Sequence, residues 1–103
     1  LLMLEEIMED EFPELIQVFI ADSDPRIQAM HQAYDEKNCA NLSSISHSFK
    51  GASGNISALP LADLCCKIDE KAREEDLEGM SSLITSVDDE YKNVRSILLS
   101  LIA

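Results

Sequence analysis

The chain has 103 residues and a formal charge of −12, from 20 carboxylates against 8 basic side chains. That length fits one domain spanning 1–103 and excludes an enzyme with a separate cofactor domain. The acidic balance argues against nucleic acid and anionic membrane surfaces as partners, because a polyanion is repelled over most of such a molecule. With 46% apolar and 27% charged residues, three glycines and three prolines, collagen-like and low-complexity classes also fall away.

No apolar run approaches the ~18 residues that would cross a membrane, so no membrane insertion is expected. The opening Leu1-Leu2-Met3-Leu4-Glu5-Glu6 has no basic region and no long apolar stretch, and is not read as a signal peptide. It also lacks an initiator methionine, so the chain reads as a trimmed form or a piece of something longer. Cys39, Cys65 and Cys66 cannot all pair within one chain. Free, mostly buried thiols in a reducing cytoplasm are expected. No metal-ligand spacing is evident, and no metal or cofactor is expected.

Helical periodicity runs through almost the whole sequence, and no strand-like alternation or hairpin turn interrupts it. Residues 2–9 read as a short amphipathic helix built on Leu2, Leu4, Ile7 and Met8. Asp10 reads as the cap of a long helix to about Lys37, with Pro13 in its first turn. Phe12, Leu15, Ile16, Phe19 and Ile20 form an apolar stripe that resumes at Ile27, Met30, Ala33 and Tyr34. Pro25 interrupts it, so a kink or a junction of two helices is expected near Asp24-Pro25. Asn38 caps a helix over 39–56 with core positions Leu42, Ile45, Phe49, Ala52 and Ile56. Pro60 opens another over 60–75, burying Leu61, Leu64, Cys65, Ile68 and Ala72. Gly79 marks the next break. The last helix, 80–102, carries the most regular seam, Met80, Ile84, Val87, Tyr91, Val94, Leu98 and Leu101. The expected fold is all-α: an antiparallel up-down four-helix bundle with a short N-terminal cap helix.

One stretch breaks the composition. Between 38 and 62 the only charged side chain is Lys50. On a helical wheel at about 100° per residue, Ile45, Phe49 and Ile56 fall roughly opposite His47, which therefore faces solvent. Around His47 lie the small residues Ala40, Ser43, Ser44, Gly51, Gly54 and Ala58, with Lys50 one turn away. A glycine inside a helix costs about 0.5–1 kcal/mol against alanine. Gly51 and Gly54 therefore point to close approach by another backbone. A lone histidine is ordinarily a surface residue, as His31 is expected to be. His47 differs in standing on an uncharged small-residue platform beside a single cation. That arrangement suits a nucleophilic imidazole offered to a partner protein, with the lysine offsetting phosphoryl charge.

The run His47-Ser48-Phe49-Lys50-Gly51-Ala52-Ser53-Gly54-Asn55-Ile56-Ser57-Ala58 resembles the phosphoacceptor motif of histidine-containing phosphotransfer (HPt) domains. The similarity extends through Leu61-Ala62-Asp63-Leu64-Cys65 and to the helix count. Where the family often has glycine before the final alanine, this chain has Ser57. The resemblance implies that His47 takes a phosphoryl group from an aspartyl phosphate on a receiver domain and passes it to another receiver's aspartate, as an intermediate of two-component signalling. Lys50 would stabilise phosphoryl charge, and Ser43, Ser44, Ser48, Gly51 and Gly54 would meet the partner. The implied partners are receiver domains of hybrid sensor kinases and response regulators, which bring their own Mg²⁺. Such a domain is a phosphoryl carrier without kinase activity, is expected to be a monomer, and has no P-loop or kinase glycine loop, as here. The alternative is a helical adaptor that binds through the same face without phosphoryl exchange. A metal-dependent bundle enzyme would need Glu-x-x-His spacing, which is missing.

Overall fold

The computed structural model describes residues 12–102, and the expected N-terminal helix over 2–9 lies outside the described residues. Four helices follow in order: α1 Phe12–Asp35, α2 Cys39–Asn55, α3 Leu59–Arg73 and α4 Met80–Ile102. Each packs on its neighbours in sequence, and α4 closes on α1. The short connections impose an up-down-up-down antiparallel bundle.

The helix ends follow from local chemistry. The Asn38 side chain accepts from the Asn41 amide at 3.1 Å and caps α2. Pro60 sits in the first turn of α3, where its missing N–H is not needed. Three helices end in a left-handed residue that is not glycine: Lys37 (φ 56°), Ser57 (φ 63°) and Glu75 (φ 55°). Each carries the paired bonds that close a helix C-terminus. After α2, the Ala58 amide reaches the Ser53 carbonyl at 2.9 Å and the Ser57 amide reaches that of Gly54 at 3.0 Å. The wheel therefore stops before 57. Ala58, assigned to the exposed face from the sequence, is instead 4% exposed and precedes α3 as its cap residue.

Of the two outcomes expected at Pro25, the junction of two helices is not found: one helix runs from Phe12 through Pro25 to Asp35. Pro25 and Ala21, whose carbonyl loses its helical donor, both lie on the exposed side. Water can satisfy that carbonyl, so the proline is tolerated without ending the helix.

The seam of α4 is buried at Met80, Ile84, Val87, Tyr91, Val94 and Leu98, as its spacing implies, with Leu101 half-buried. At the centre, Phe19 of α1, Phe49 of α2 and Tyr91 of α4 stand with ring centroids 6.2–6.4 Å apart. Fully burying such side chains contributes about 1.5–3 kcal/mol each. Phe49 is 0% exposed. Being two residues from His47, about 200° around the helix, it fixes the rotation of α2 and so turns His47 outward.

Candidate functional site

His47 lies in the middle of α2 with its side chain 67% exposed. Behind it on α3 is Asp69, whose side chain is only 8% exposed, with Oδ2 at 3.6 Å from His47 Nδ1. That separation is longer than a hydrogen bond. Contacts of this kind are often long before a partner engages. An anion at this place favours the tautomer that carries its proton on Nδ1.

Asp69 is itself held. Its Oδ1 accepts from the Ser43 hydroxyl at 2.5 Å and from Arg73 Nε at 3.0 Å. Burial alone would raise its pKa. The hydrogen bonds from Ser43 and Arg73, the guanidinium charge and the nearby imidazole outweigh that and hold it below the ordinary carboxylate value. The group behind His47 is therefore an anion at neutral pH.

The surrounding face is as the sequence describes in most respects. Ser44, Ser48, Lys50, Gly51 and Gly54 are all exposed. A Cβ added at Gly51 or Gly54 would meet nothing within 4 Å. Neither glycine serves packing within the described chain. Lys50 makes no ion pair with a described residue. Ser43 is half-buried rather than open, because its hydroxyl is committed to Asp69.

Direction along the bundle matters here. Helix α3 runs antiparallel to α2, so Arg73, one turn beyond Asp69, lies toward the N-terminal end of α2, whereas Lys50 lies one turn toward its C-terminal end.

Asp69 and Arg73 were not singled out from the sequence. Asp69 reads there as one more carboxylate in an acidic chain. The available signal was its spacing: Leu61, Cys65, Asp69 and Arg73 follow in steps of four, so Asp69 continues a buried row. The other sequence candidates stay apart. His31 is exposed and its Nε2 pairs with Asp88 at 2.9 Å across α1 and α4. Cys39, Cys65 and Cys66 are unpaired. Burial, with a contribution from Cys66, pushes the Cys65 thiol up to about 12, which makes it inert. Among the described residues, no cluster of three or more histidine, cysteine or acidic side chains could hold a metal ion. No described helix is long and apolar enough to cross a membrane.

A four-helix bundle presenting an outward histidine, backed by a fixed anion and followed one turn on by an exposed lysine on a glycine-bearing face, has the architecture of a phosphoryl carrier. The Hpt domain family model matches residues 14–97, and the chain belongs to that family. No curated protein matches it in sequence. Among solved structures it is similar to histidine-containing phosphotransfer protein B from Pseudomonas aeruginosa PAO1. The identity is 36% and the TM-score 0.90, over 94% of this chain and 84% of that one. A histidine phosphotransfer role in a phosphorelay goes with that membership, and domains of this family are phosphocarriers that interact with receiver domains.

Proposed function

We propose that this chain is a relay intermediate that carries a phosphoryl group on His47 between the aspartates of two receiver domains. The observation that carries the proposal is the placement of the imidazole: Nδ1 lies 3.6 Å from buried Asp69, and the side chain is 67% exposed to an incoming protein. The Nε2 lone pair attacks phosphorus, and the bond from phosphorus to the receiver's aspartyl oxygen breaks with its electrons staying on that carboxylate. The ring gains positive charge, which the proton on Nδ1 shares with Asp69. In the onward step a second receiver's carboxylate oxygen attacks phosphorus, and the electrons of the P–N bond return to Nε2.

Lys50 offsets charge on the transferring oxygens. Ser44, Ser48, Gly51 and Gly54 form the platform over which a receiver backbone approaches, and Ser43 acts from behind it through Asp69. The three unpaired thiols support a reducing, cytoplasmic setting.

The test is a two-receiver reconstitution. Label placed on one receiver by a small phosphodonor should reach a second receiver only when this chain is present, and not when it carries His47→Gln. Binding of both receivers without transfer of label would make the chain an adaptor and end this reading.

A further inference from the structure

A serine inside a helix commonly returns its hydroxyl to the carbonyl four residues back. Ser86 does so, donating to the Ser82 carbonyl at 3.0 Å. Ser43, one turn before His47 on α2, sends its hydroxyl across to α3 instead and donates to Asp69 Oδ1 at 2.5 Å. We propose that Ser43 is a positioning residue for phosphoryl transfer: its hydroxyl fixes which oxygen of Asp69 faces the His47 ring, and thereby the nitrogen on which the neutral ring holds its proton. This rests on the reading of His47 as the acceptor and adds to it the residue that sets the state of the ring.

The two oxygens of Asp69 divide their partners. Oδ1 accepts from Ser43 and from Arg73 Nε, the latter at 3.0 Å, while Oδ2 lies 3.6 Å from His47 Nδ1. The carboxylate cannot turn about its Cβ–Cγ bond without giving up both Oδ1 bonds. Oδ2 is therefore the oxygen kept for the imidazole.

The two holders of Oδ1 are unequal. Arg73 reaches it from the next turn of the same helix, with a side chain that is 62% exposed, and exposed pairs at that spacing hold weakly. Ser43 is half-buried and comes from the other helix, and a short hydroxyl bond to an anion is among the strong kinds. Burial pushes the Asp69 carboxyl up, and of the influences that bring it below its ordinary value the Ser43 bond is the largest. Ser43 also ties α3 to the same stretch of α2 that carries His47. It thus holds anion and imidazole in register.

The experiment uses the full chain, ¹⁵N-labelled, as wild type, Ser43→Ala and Ser43→Thr. Nitrogen-15 shifts of the neutral His47 ring report the tautomer. Single-turnover transfer from a phosphorylated receiver, run over a range of concentrations, separates rate from affinity. In Ser43→Ala the proton population on Nδ1 should fall and the maximal rate drop roughly fivefold, with the half-saturating concentration unchanged. Ser43→Thr keeps the donor and should restore both. In an Asp69→Asn background, Ser43→Ala should lower the rate no further, because the two side chains act as one unit. A wild-type tautomer in Ser43→Ala, or a loss confined to the half-saturating concentration, would overturn the proposal while the acceptor reading stands. So would a loss that adds in full to that of Asp69→Asn. If wild-type His47 takes no label from the receiver, the acceptor reading falls and Ser43's role in transfer falls with it. Alanine suits a helix better than serine, so Ser43→Ala is expected to fold; should it not, a shifted tautomer in Ser43→Thr would overturn the proposal on its own.

Discussion

Asp69 and His47 share one contact and differ in depth: the carboxylate side chain is 8% exposed and the imidazole 67%, with 3.6 Å between Oδ2 and Nδ1. A buried anion gripped by Ser43 and Arg73 thus stands behind a ring that a partner can reach. Replacing Asp69 by asparagine keeps the shape and removes the charge. Loading of His47 should slow about tenfold or more, the cost of losing roughly 1.4 kcal/mol of positioning and charge stabilisation. Nitrogen-15 shifts of the neutral ring should show protons leaving Nδ1 for Nε2. An unchanged tautomer with an unchanged rate would mean that Asp69 does not orient the histidine.

The same carboxylate gives the acid limb of stability a defined sign. Its folded-state pKa lies below the ordinary value, and the unfolded value is about 3.9. The stabilisation is therefore present above pH ~4 and is lost as pH falls through the folded pKa. Urea unfolding between about pH 4 and pH 2 should show stability falling in the wild type and a shallower slope in Asp69→Asn. Equal slopes would contradict the assignment.

The glycines set stability against function. Gly51 and Gly54 lie inside α2, exposed, with open space where a Cβ would stand. Gly51→Ala and Gly54→Ala should each raise unfolding stability by about 0.5–1 kcal/mol. Gly51→Leu should keep the fold while weakening receiver affinity, measured by calorimetric titration. Undiminished affinity would remove the platform.

Ser57 offers the converse case. It holds φ 63° just past α2, in the left-handed region that costs a side chain roughly 1–2 kcal/mol. Ser57→Gly should stabilise the protein by about 1 kcal/mol in urea denaturation. Gly79, at φ 71°, should lose a similar amount on change to alanine. Opposite signs at either site would show that another contact governs these turns.

These cases also mark what the sequence discloses. Apolar spacing places a helix over 39–56, against Cys39–Asn55 observed, and the α4 seam from Met80 to Leu98, because period-matched residues pack inward; Leu42, Phe49 and Ile56 are buried, Ile45 and Ala52 half-buried. The outward face of His47 follows from Phe49 and Ile56 opposite it. Positions where the rule fails are polar and buried: Asp69, and the serine hydroxyls of Ser23, Ser46 and Ser53, which have no described hydrogen-bond partner. Nothing in residue type separates Asp69 from the solvated carboxylates around it. Only the packing of α3 on α2 sets it behind the imidazole. Ser57 is a different case: the sequence marks it only as standing where the family often has glycine, and the helix end that explains that glycine, with φ 63°, is created by backbone bonds to Ser53 and Gly54.

The central claim is that His47 alone carries the phosphoryl group, and site mapping tests it most directly. After incubation with a phosphorylated receiver, peptide mass spectrometry under alkaline conditions should place an acid-labile phosphate on the segment containing His47 and on no other. His47→Gln should abolish it while the helical signal stays intact. Phosphate on a serine, on His31, or retained in His47→Gln would contradict the account.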